Sequence, residues 1–504
     1  MARHRFLVVV PVADRPRHLQ ACLGSLAELR RRFPYDGDIA VLVADDSADA
    51  ASIAAHRDIA GRFAADGLRA IHFPPEEQIA LVRSIGIDLP RVLGDVPADR
   101  YGHKGQGVMR NIAWLKAAEL LKDRPGETLI WSIDSDQEFR VNLPEDDGYV
   151  VDYFGGLDRI FARTDTLVLT GKVVGDPPVS PAVMTSNFLD DVLAFVDDLG
   201  RRDPLAPCSH HGTATTTGDA AYHDMADLFG FKPESHYAYP CPLAGPHGEA
   251  DCCAHFAGRV NSFFYGEHPT RVSSYVAGDL LAGVQPARTV YAGNYVFRPE
   301  ALRYFIPFAS LRLRMSGPTL GRILKAELGP RFVSANLPML HNRTVESGGQ
   351  SEFRPGIETQ AAAIDMSGEF ERQFYGDVML FSVERIAAEQ DLRRLASAEF
   401  SQMLDTQRIE MLGRYNARQQ AILAKLARLE QLLADPARWW RHAPERIAGF
   451  RHFAANVRRN FDVHSSGHAR INDEAGWTRW RARLLDGLSH YAEDRTVWER
   501  LCKV

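Results

Sequence analysis

Near the N-terminus, two short apolar runs flank an amphipathic segment, and this alternation most constrains the fold. Phe6–Val10 and Ile39–Ala44 have the length of buried strands, whereas residues 16–32 carry apolar side chains at three- and four-residue spacings. A strand, a helix and a strand in that order predict a βαβ unit with parallel strands. Ligands of open α/β sheets bind beyond the carboxyl ends of such strands, so Pro11 and Asp45 mark candidate binding positions.

The same alternation continues along the chain. Further strands are predicted at residues 69–73, 128–133 and 167–171, and a helix at about 108–121. We therefore predict an α/β fold, a Rossmann-like and mostly parallel sheet flanked by helices.

This predicted α/β domain covers residues 1–382. Residues 204–270 interrupt it as an irregular insertion rich in His and Cys, because they show little periodicity and many Gly and Pro residues. From residue 383 to 504, leucines recur at helical spacings, which predicts a C-terminal all-helical domain.

Composition limits the classes of function. The 504 residues are 45% hydrophobic and 25% charged, as in globular proteins. A net charge of −6 leaves no basic surplus to neutralise phosphates, so no nucleic-acid partner is expected. No apolar stretch approaches the roughly 20 residues that a membrane span needs. The expected location is cytoplasmic.

The strongest local motif is I-D-S-D at residues 133–136, directly after a predicted buried strand. Two carboxylates two residues apart, Asp134 and Asp136, can reach one hard cation through a turn, and Mg²⁺ or Mn²⁺ commonly bridges carboxylates to phosphates. The alternative is an ordinary polar turn, since Asp and Ser favour turns.

Three other segments lie at comparable positions. They read P-V-A-D-R at residues 11–15, A-D-D-S at 44–47 and K-G-Q-G-V-M-R-N at 104–111. Together with I-D-S-D, and in this order, they resemble the family-2-like glycosyltransferases with a GT-A fold. Asp14 stands where that family has Asn. The late segment N-L-P-M-L-H-N-R at 336–343 resembles the one in which many GT-A enzymes supply a His to the metal.

The resemblance implies specific roles for these residues. It assigns nucleotide contacts to Pro11, Asp14, Asp45, Lys104, Arg110, Asp134 and Arg343. It assigns Mn²⁺ or Mg²⁺ to Asp134, Asp136 and His341. Without the resemblance, a His after an apolar run could equally be a core or surface residue.

One departure from the family concerns the general base. Inverting members carry a carboxylate pair at a helix start, but the equivalent residues 314–322 contain no carboxylate. Either another residue supplies the base or the enzyme retains configuration, as in the sugar-glycerate synthases that also pair D-x-D with a late His. Asp176 and Asp191 are the catalytic candidates. Asp190 and Glu267 are further candidates for the base.

Two segments could bind an acceptor, a small molecule or a glycan. Residues 171–178 follow a predicted strand, and residues 291–295 precede one with small residues that would let a sugar approach the backbone. A simple tight turn explains each segment equally well.

The insertion holds soft and borderline metal ligands. They are Cys208, His210, His211, Cys241, Cys252, Cys253 and His255. Their side chains suit a structural Zn²⁺, although their spacing matches no standard zinc pattern. The alternative is a loop over the active site whose histidines meet acceptor hydroxyls.

The C-terminal region raises the question of partners. Residues 436–460 combine six Arg with Trp and Phe side chains. Such a segment could contact an anionic membrane surface, but docking against the catalytic domain is the plainer explanation. The preceding helical run could instead form a homodimer.

Taken together, the sequence predicts a metal-dependent hexosyltransferase that uses a nucleoside diphosphate sugar as donor and a hydroxyl group as acceptor. The alternatives are a sugar nucleotidyltransferase and a catalytically inactive nucleotide-sugar-binding scaffold. The first would need a Gly-rich phosphate loop after the first strand, which residues 11–16 do not offer.

Overall fold

The structure is a computed structural model. It describes residues 3–97, 101–122, 128–143, 146–210, 238–291, 293–343, 355–360, 363–389, 392 and 397–502. His211 and residues 212–237 of the predicted insertion, and Ala292 of the second predicted acceptor segment, lie outside these ranges.

The elements of the first third alternate between strands and helices. They are β1 (Arg5–Val12), α1 (Pro16–Arg32), β2 (Ile39–Asp45), α2 (Ala50–Ala65), β3 (Arg69–Phe73), α3 (Pro75–Ile85), α4 (Pro90–Leu93), α5 (Gln106–Leu121), β4 (Thr128–Ile133) and β5 (Gln137–Glu138). The predicted strands and helices of this third are all present.

The middle of the chain completes the sheet, and the last part is helical. The middle contains α6 (Tyr153–Arg163), β6 (Val168–Gly175), α7 (Pro181–Leu199), α8 (Glu249–Arg259), β7 (Gln285–Pro286), β8 (Asn294–Phe297), α9 (Ser316–Leu328), β9 (Phe332–His341), β10 (Glu358–Gln360) and β11 (Ala363–Asp365). The last part contains α10 (Ser367–Glu389), α11 (Ser397–Ala434), α12 (Ala448–Phe461), α13 (Ser466–Asn472), α14 (Glu474–Ser489) and α15 (Tyr491–Leu501).

The main sheet is mixed, which corrects the prediction of a mostly parallel one. Its order is β3-β2-β1-β4-β8-β6-β9-β5, with β7 paired to β9. The first four strands are parallel, as the βαβ pattern predicts. However, β8 enters between β4 and β6 and runs antiparallel to both. A strand inserted from a later part of the chain cannot be read from local periodicity, whereas the α/β class itself is confirmed.

Helices cover both faces of the sheet, and for this reason residues 6–10 of β1 are all apolar. Leu7 and Val9 of β1 face the core layer that includes α5, while Val8 and Val10 face the layer that includes α1. All four side chains are buried. The period-two alternation therefore distributes one strand between two hydrophobic layers.

Asn294 ties three strands together at an irregularity of the sheet. Its side-chain amide donates to the backbone oxygens of Lys172 and Leu337, at 2.8 Å each, and its oxygen accepts from Trp131 Nε1 at 3.0 Å. A Cβ on Gly171 would lie 2.4 Å from the Asn294 amide nitrogen, so glycine is required there. The predicted acceptor segment at 291–295 thus contains a structural residue.

The helical region is continuous with the α/β core. The predicted boundary at residue 382 falls inside α10, and α11 packs against α7 and α10. Phe450 and Phe453 of α12 are fully buried, and Phe453 contacts the ring of Phe188 on α7. The aromatic residues of segment 436–460 therefore dock within the chain. None of the helices in the described residues is long and apolar enough to cross a membrane.

A buried carboxyl group lies at the centre of this helical packing. Asp377 on α10 is fully buried and accepts hydrogen bonds from Tyr415 at 2.6 Å and Gln373 at 2.7 Å. Burial raises the pKa of Asp377 to about 7, although these two partners and the charges of Arg418 and Arg314 oppose the shift. Between about pH 4 and pH 7, the Asp377 carboxyl is therefore protonated in the folded chain and ionised in the unfolded chain.

The free energy of unfolding should reflect this proton. Since the folded state binds it between about pH 4 and pH 7, stability should fall as pH rises through that window, by on the order of 4 kcal/mol for a shift of this size. Asp377→Asn, which mimics the neutral carboxyl, should remove this slope in urea titrations. Asp486→Asn, a half-exposed control on α14, should keep it. An unchanged slope in Asp377→Asn would contradict the assignment.

Candidate active site

A cavity of about 550 Å³ opens where β1 and β4 end. Its walls include residues 11–13 and Arg15 at the end of β1, the start of α5, residues 134–136 after β4, residues 312–318 around the start of α9, and the first two turns of α10. A cleft beyond the carboxyl ends of parallel strands is where open α/β sheets bind ligands. The cavity therefore occupies the position that the sequence predicts.

Strand register brings Asp136 and His341 together. After β4 the chain turns, and β5 pairs antiparallel with β9 so that Gln137 lies opposite His341. The Asn342 N–H donates to the Asp136 backbone oxygen at 3.0 Å, which fixes this neighbour as well. As a result, His341 Nε2 lies 3.6 Å from Asp136 Oδ1, and both side chains are almost fully buried.

Two arginines complete the surroundings of Asp136. Arg15 Nη1 lies 3.3 Å from Asp136 Oδ2, and Arg343 Nη1 lies 3.2 Å from the same oxygen. Burial alone would raise the pKa of Asp136, but His341, Arg343 and Arg15 hold it well below its ordinary value. Asp136 is thus an ionised carboxylate that positive side chains surround.

Asp134, the other carboxylate of the motif, lies on the same wall. It forms an ion pair with Arg110 of α5, and Arg110 Nε also lies 3.3 Å from Ser132 Oγ. A Cβ on Gly293 would lie 2.3 Å from Asp134 Oδ2, so the absence of a side chain at that position makes room for the carboxylate.

The types of donor atom suit a divalent cation such as Mg²⁺ or Mn²⁺. Asp136 and His341 already lie together, whereas Asp134 pairs with Arg110 and would have to turn toward them, since the ligand atoms of these three residues do not all lie within 4.8 Å of one another. Asp134 and Asp136 offer oxygens, and His341 offers a nitrogen, a combination that suits Mn²⁺ in particular. His341 Nδ1 lies 2.5 Å from the Asp176 backbone oxygen. That contact uses the proton on Nδ1, so Nε2, which faces Asp136, is the nitrogen that would bind a cation, the arrangement common for metal-binding histidines.

Arginine side chains make the cavity suitable for a polyanion. Arg15, Arg110 and Arg343 lie at the carboxylate wall, and Arg312, Arg314 and Arg372 line the remainder. The planar guanidinium group binds phosphate oxygens through two parallel hydrogen bonds. The cavity therefore combines a candidate cation site with donors for phosphate groups.

At the end of β2, Asp46 lines the cavity, whereas the predicted Asp45 does not. Asp45 is fully buried and hydrogen-bonds His56 at 3.0 Å and His72 at 2.9 Å, which hold its pKa far below the ordinary value although burial opposes them. Asp46 lines the cavity instead and lies 2.6 Å from Lys104 Nζ. Nucleotide contact by Asp45 is therefore a prediction that its position does not support.

Two more predicted nucleotide contacts have partners within the protein. Asp14, with a left-handed backbone (φ 50°), accepts from the backbone N–H groups of Ala48 and Asp49 and pairs with His103 at 2.5 Å. Lys104 is buried beside Asp46, outside the cavity lining. Pro11, Arg110, Asp134 and Arg343 do line the cavity.

The glycines before α5 serve packing between loops. Gly105 has φ 95°, and a side chain there would approach Arg312 within 3.3 Å. A Cβ on Gly102 would lie 2.3 Å from the Ser47 backbone oxygen. These glycines let the loop pass close to other protein segments, while Gly105 also borders the cavity.

Asp176, a predicted catalytic carboxylate, holds the backbone of Arg343 next to the site. It is buried and accepts from the backbone N–H groups of His268 at 2.9 Å and Arg343 at 3.0 Å. Burial raises the pKa of Asp176, and the two N–H groups oppose the shift. Its side chain lines a second cavity of about 350 Å³ and not the one that contains Asp134.

Asp191, the other predicted catalytic carboxylate, lies on α7 and has partners within the protein. It forms a fully buried two-bond ion pair with Arg271, at 2.8 and 2.9 Å, and accepts from the Thr270 hydroxyl at 2.6 Å. It lines neither cavity. A base that no acceptor can reach does not fit the chemistry, so its position does not support this assignment.

Glu369 is a functional candidate that no sequence pattern indicated. Glu369 in the first turn of α10 is 5% exposed in its side chain and lines the cavity. Arg314 Nη1 lies 3.3 Å and Arg372 Nη1 lies 3.5 Å from its carboxylate oxygens. Residues 314–322 lack a carboxylate, but the fold brings Glu369 to the first of them. An acidic residue in a helical first turn, three residues before an Arg, is too common a pattern to have indicated it.

Comparisons with known proteins do not identify the chain. No protein-family model matches the sequence, and no curated protein matches it. The crystal structure of S. aureus TarS resembles the chain with a TM-score of 0.30 at 14% identity. The match covers 92% of this chain and 55% of TarS, so the chain spans about half the length of that protein. A similarity of this size establishes neither a family nor a function.

Proposed function

We propose that the chain is a metal-dependent glycosyltransferase with a GT-A-like fold. It would move a hexose from a nucleoside diphosphate sugar to a hydroxyl group of a small molecule or a glycan. One observation carries this proposal: Asp134, Asp136 and several arginines line one cavity at the strand ends, and His341 Nε2 lies 3.6 Å from Asp136 Oδ1. Carboxylates for a cation and guanidinium groups for phosphates are the two requirements of a bound diphosphate.

Asp134, Asp136 and His341 would hold Mn²⁺ or Mg²⁺. Bound there, the ion would act as a Lewis acid that stabilises the negative charge of the leaving diphosphate. Arg15 and Arg343, which contact Asp136, would turn toward the phosphate oxygens when the donor binds. Arg110, now paired with Asp134, would bind on the same side.

The arginines also imply that cation and nucleotide bind together. A cation alone would have to approach a carboxylate that two guanidinium groups already neutralise, and these positive charges would repel it. A diphosphate supplies the missing negative charge and offers the arginines a new partner. We therefore expect each ligand to strengthen the binding of the other.

Glu369 supplies the carboxylate that residues 314–322 lack. In the proposed reaction the acceptor hydroxyl gives its proton to Glu369 while its oxygen attacks the anomeric carbon. The bond from that carbon to the diphosphate oxygen breaks, and the diphosphate leaves with the electron pair. Direct displacement of this kind inverts the anomeric configuration. Arg314 and Arg372 orient the Glu369 carboxylate within the cavity.

A panel of nucleoside diphosphate sugars tests the proposed function. With Mn²⁺ or Mg²⁺ present, at least one donor should release its nucleoside diphosphate, and a chelator should abolish the release. Asp136→Asn should lower this rate at least about 100-fold, because the carboxylate of the cation site is lost. Asp190→Asn on α7, which pairs with Lys425 away from the cavity, is the matched control. A wild-type chain that binds and cleaves no donor would refute the proposal.

Glu369→Gln tests the general base. Transfer to an acceptor should fall by about 10²–10⁴-fold, the usual contribution of such a group. Binding of the donor and metal should stay within a few-fold of wild type, which also shows that the variant folds. Glu371→Gln, two residues along α10 and paired with Arg470, should transfer normally. Transfer by Glu369→Gln at the wild-type rate, or retained configuration in the product, would overturn this role.

A further inference from the structure

Three segments around the start of α8 meet in a compact cluster. The Cys208 N–H donates to the His247 backbone oxygen at 3.0 Å, and the Cys241 N–H donates to the His210 backbone oxygen at 3.1 Å. A β-bridge joins Pro207 to Gly248 directly beside them. These backbone bonds hold residues far apart in sequence in fixed relative positions.

The side chains of this cluster are of types that bind zinc. Ligand atoms of Cys208, Cys241 and His247 all lie within 4.8 Å of one another. Cys241 Sγ lies 3.2 Å from His247 Nε2. The thiol of Cys252, on α8, is in hydrogen-bonding contact with the thiols of Cys241 and Cys208. A third sulfur thus contacts two members of this group of three ligand atoms.

His247 is oriented as a ligand would be. Its Nδ1 lies 2.9 Å from the Gly245 backbone oxygen, which places the ring proton on Nδ1. Nε2 then presents its lone pair toward the sulfur atoms. A second hydrogen bond of this kind, from the ring to a backbone carbonyl, accompanies most zinc-binding histidines.

We propose that Cys208, Cys241, His247 and Cys252 form a structural Zn²⁺ site. Three thiolates and one imidazole are a standard closed tetrahedral set for zinc. Bonds of about 2.3 Å to sulfur and about 2.0 Å to nitrogen require ligand atoms less than about 4.6 Å apart, close to the separation that the metal-free side chains already have. The sequence pointed to zinc in this region, but it did not select these ligands and it missed His247.

The neighbouring residues of the same types are excluded by their positions. Cys253 follows Cys252 on α8 but points elsewhere, and it is buried beside Glu249 and Arg446. His255 pairs with the Tyr239 hydroxyl. His210 Nε2 faces carboxylates, 3.8 Å from Glu249 and 3.9 Å from Asp198.

The site would stabilise the wall of the second cavity. Cys241 lies between Pro240 and Pro242, and both prolines line that cavity together with Asp176 and His341. Tyr239 stacks on Phe256 of α8, with ring centroids 4.2 Å apart. Zinc would therefore cross-link α8 to the segment that faces the back of the candidate active site.

Metal analysis of the purified full-length chain tests this proposal. Protein that is prepared under reducing conditions without chelators should contain one Zn²⁺ per chain. Replacement by Co²⁺ should give thiolate-to-cobalt charge-transfer bands and the visible bands of a tetrahedral ion. Cys241→Ser and Cys252→Ser should each lose these bands and most of the zinc, with a lower thermal midpoint. Zinc removal by a strong chelator should lower the midpoint of the wild-type chain in the same way.

Two controls separate this site from the proposed active site. Cys253→Ser, one residue from a ligand, should keep one zinc and the cobalt bands. Asp136→Asn should keep them too, even if it abolishes donor cleavage, because the two sites share no ligand. A wild-type chain without bound zinc, without thiolate–cobalt bands, or with a disulfide among these cysteines would overturn the proposal. Full zinc binding by Cys252→Ser would remove Cys252 from the ligand set.

Discussion

The buried charge of Asp136 is the interaction on which the candidate site depends. A carboxylate taken out of water is costly unless positive partners and hydrogen bonds surround it. Arg15 after β1, and His341 and Arg343 at the end of β9, supply these partners. One negative charge therefore holds together three chain segments that are distant in sequence, and it does so at the edge where parallel strands end.

The helical region completes the cavity that this charge begins. Arg372 and Glu369, both in the first two turns of α10, form part of its lining. Asp377, one turn further along α10, is buried against Tyr415 of α11. The orientation of the candidate base is therefore tied to helix packing in a region that the sequence presents as a separate domain. Removal of that region would open the cavity.

Local sequence patterns predicted the strands and the positions where they end. The proximity of Asp136 and His341 could be anticipated because both residues follow apolar runs, and because their segments resemble those of a known family. The alternation of side chains along β2 could also have shown that Asp45 faces the core. Val41 and Val43 lie in the core layer on one face of β2, so period-two alternation directs Asp45 toward that same face, where His56 meets it.

Other features depend on contacts that no local pattern encodes. Glu369 reaches Arg314 only because α10 packs beside α9. His247 joins Cys208 only through a β-bridge between loops. Asp191 forms a buried ion pair with Arg271, a residue far along the chain that no local pattern connects to it. The insertion of β8 between β4 and β6 has the same origin, since pairing partners of a strand are set by the whole fold.

If the proposed function is correct, a cation and a diphosphate bind this cavity together. Calorimetric titration of the full chain with Mn²⁺, alone and with each nucleoside diphosphate in turn, measures this coupling most directly. At least one nucleotide should raise the Mn²⁺ affinity about 5- to 150-fold, the usual range for coupled sites, and Asp136→Asn should abolish the increase. The same Mn²⁺ affinity with and without every nucleotide, or an unchanged increase in Asp136→Asn, would contradict the account.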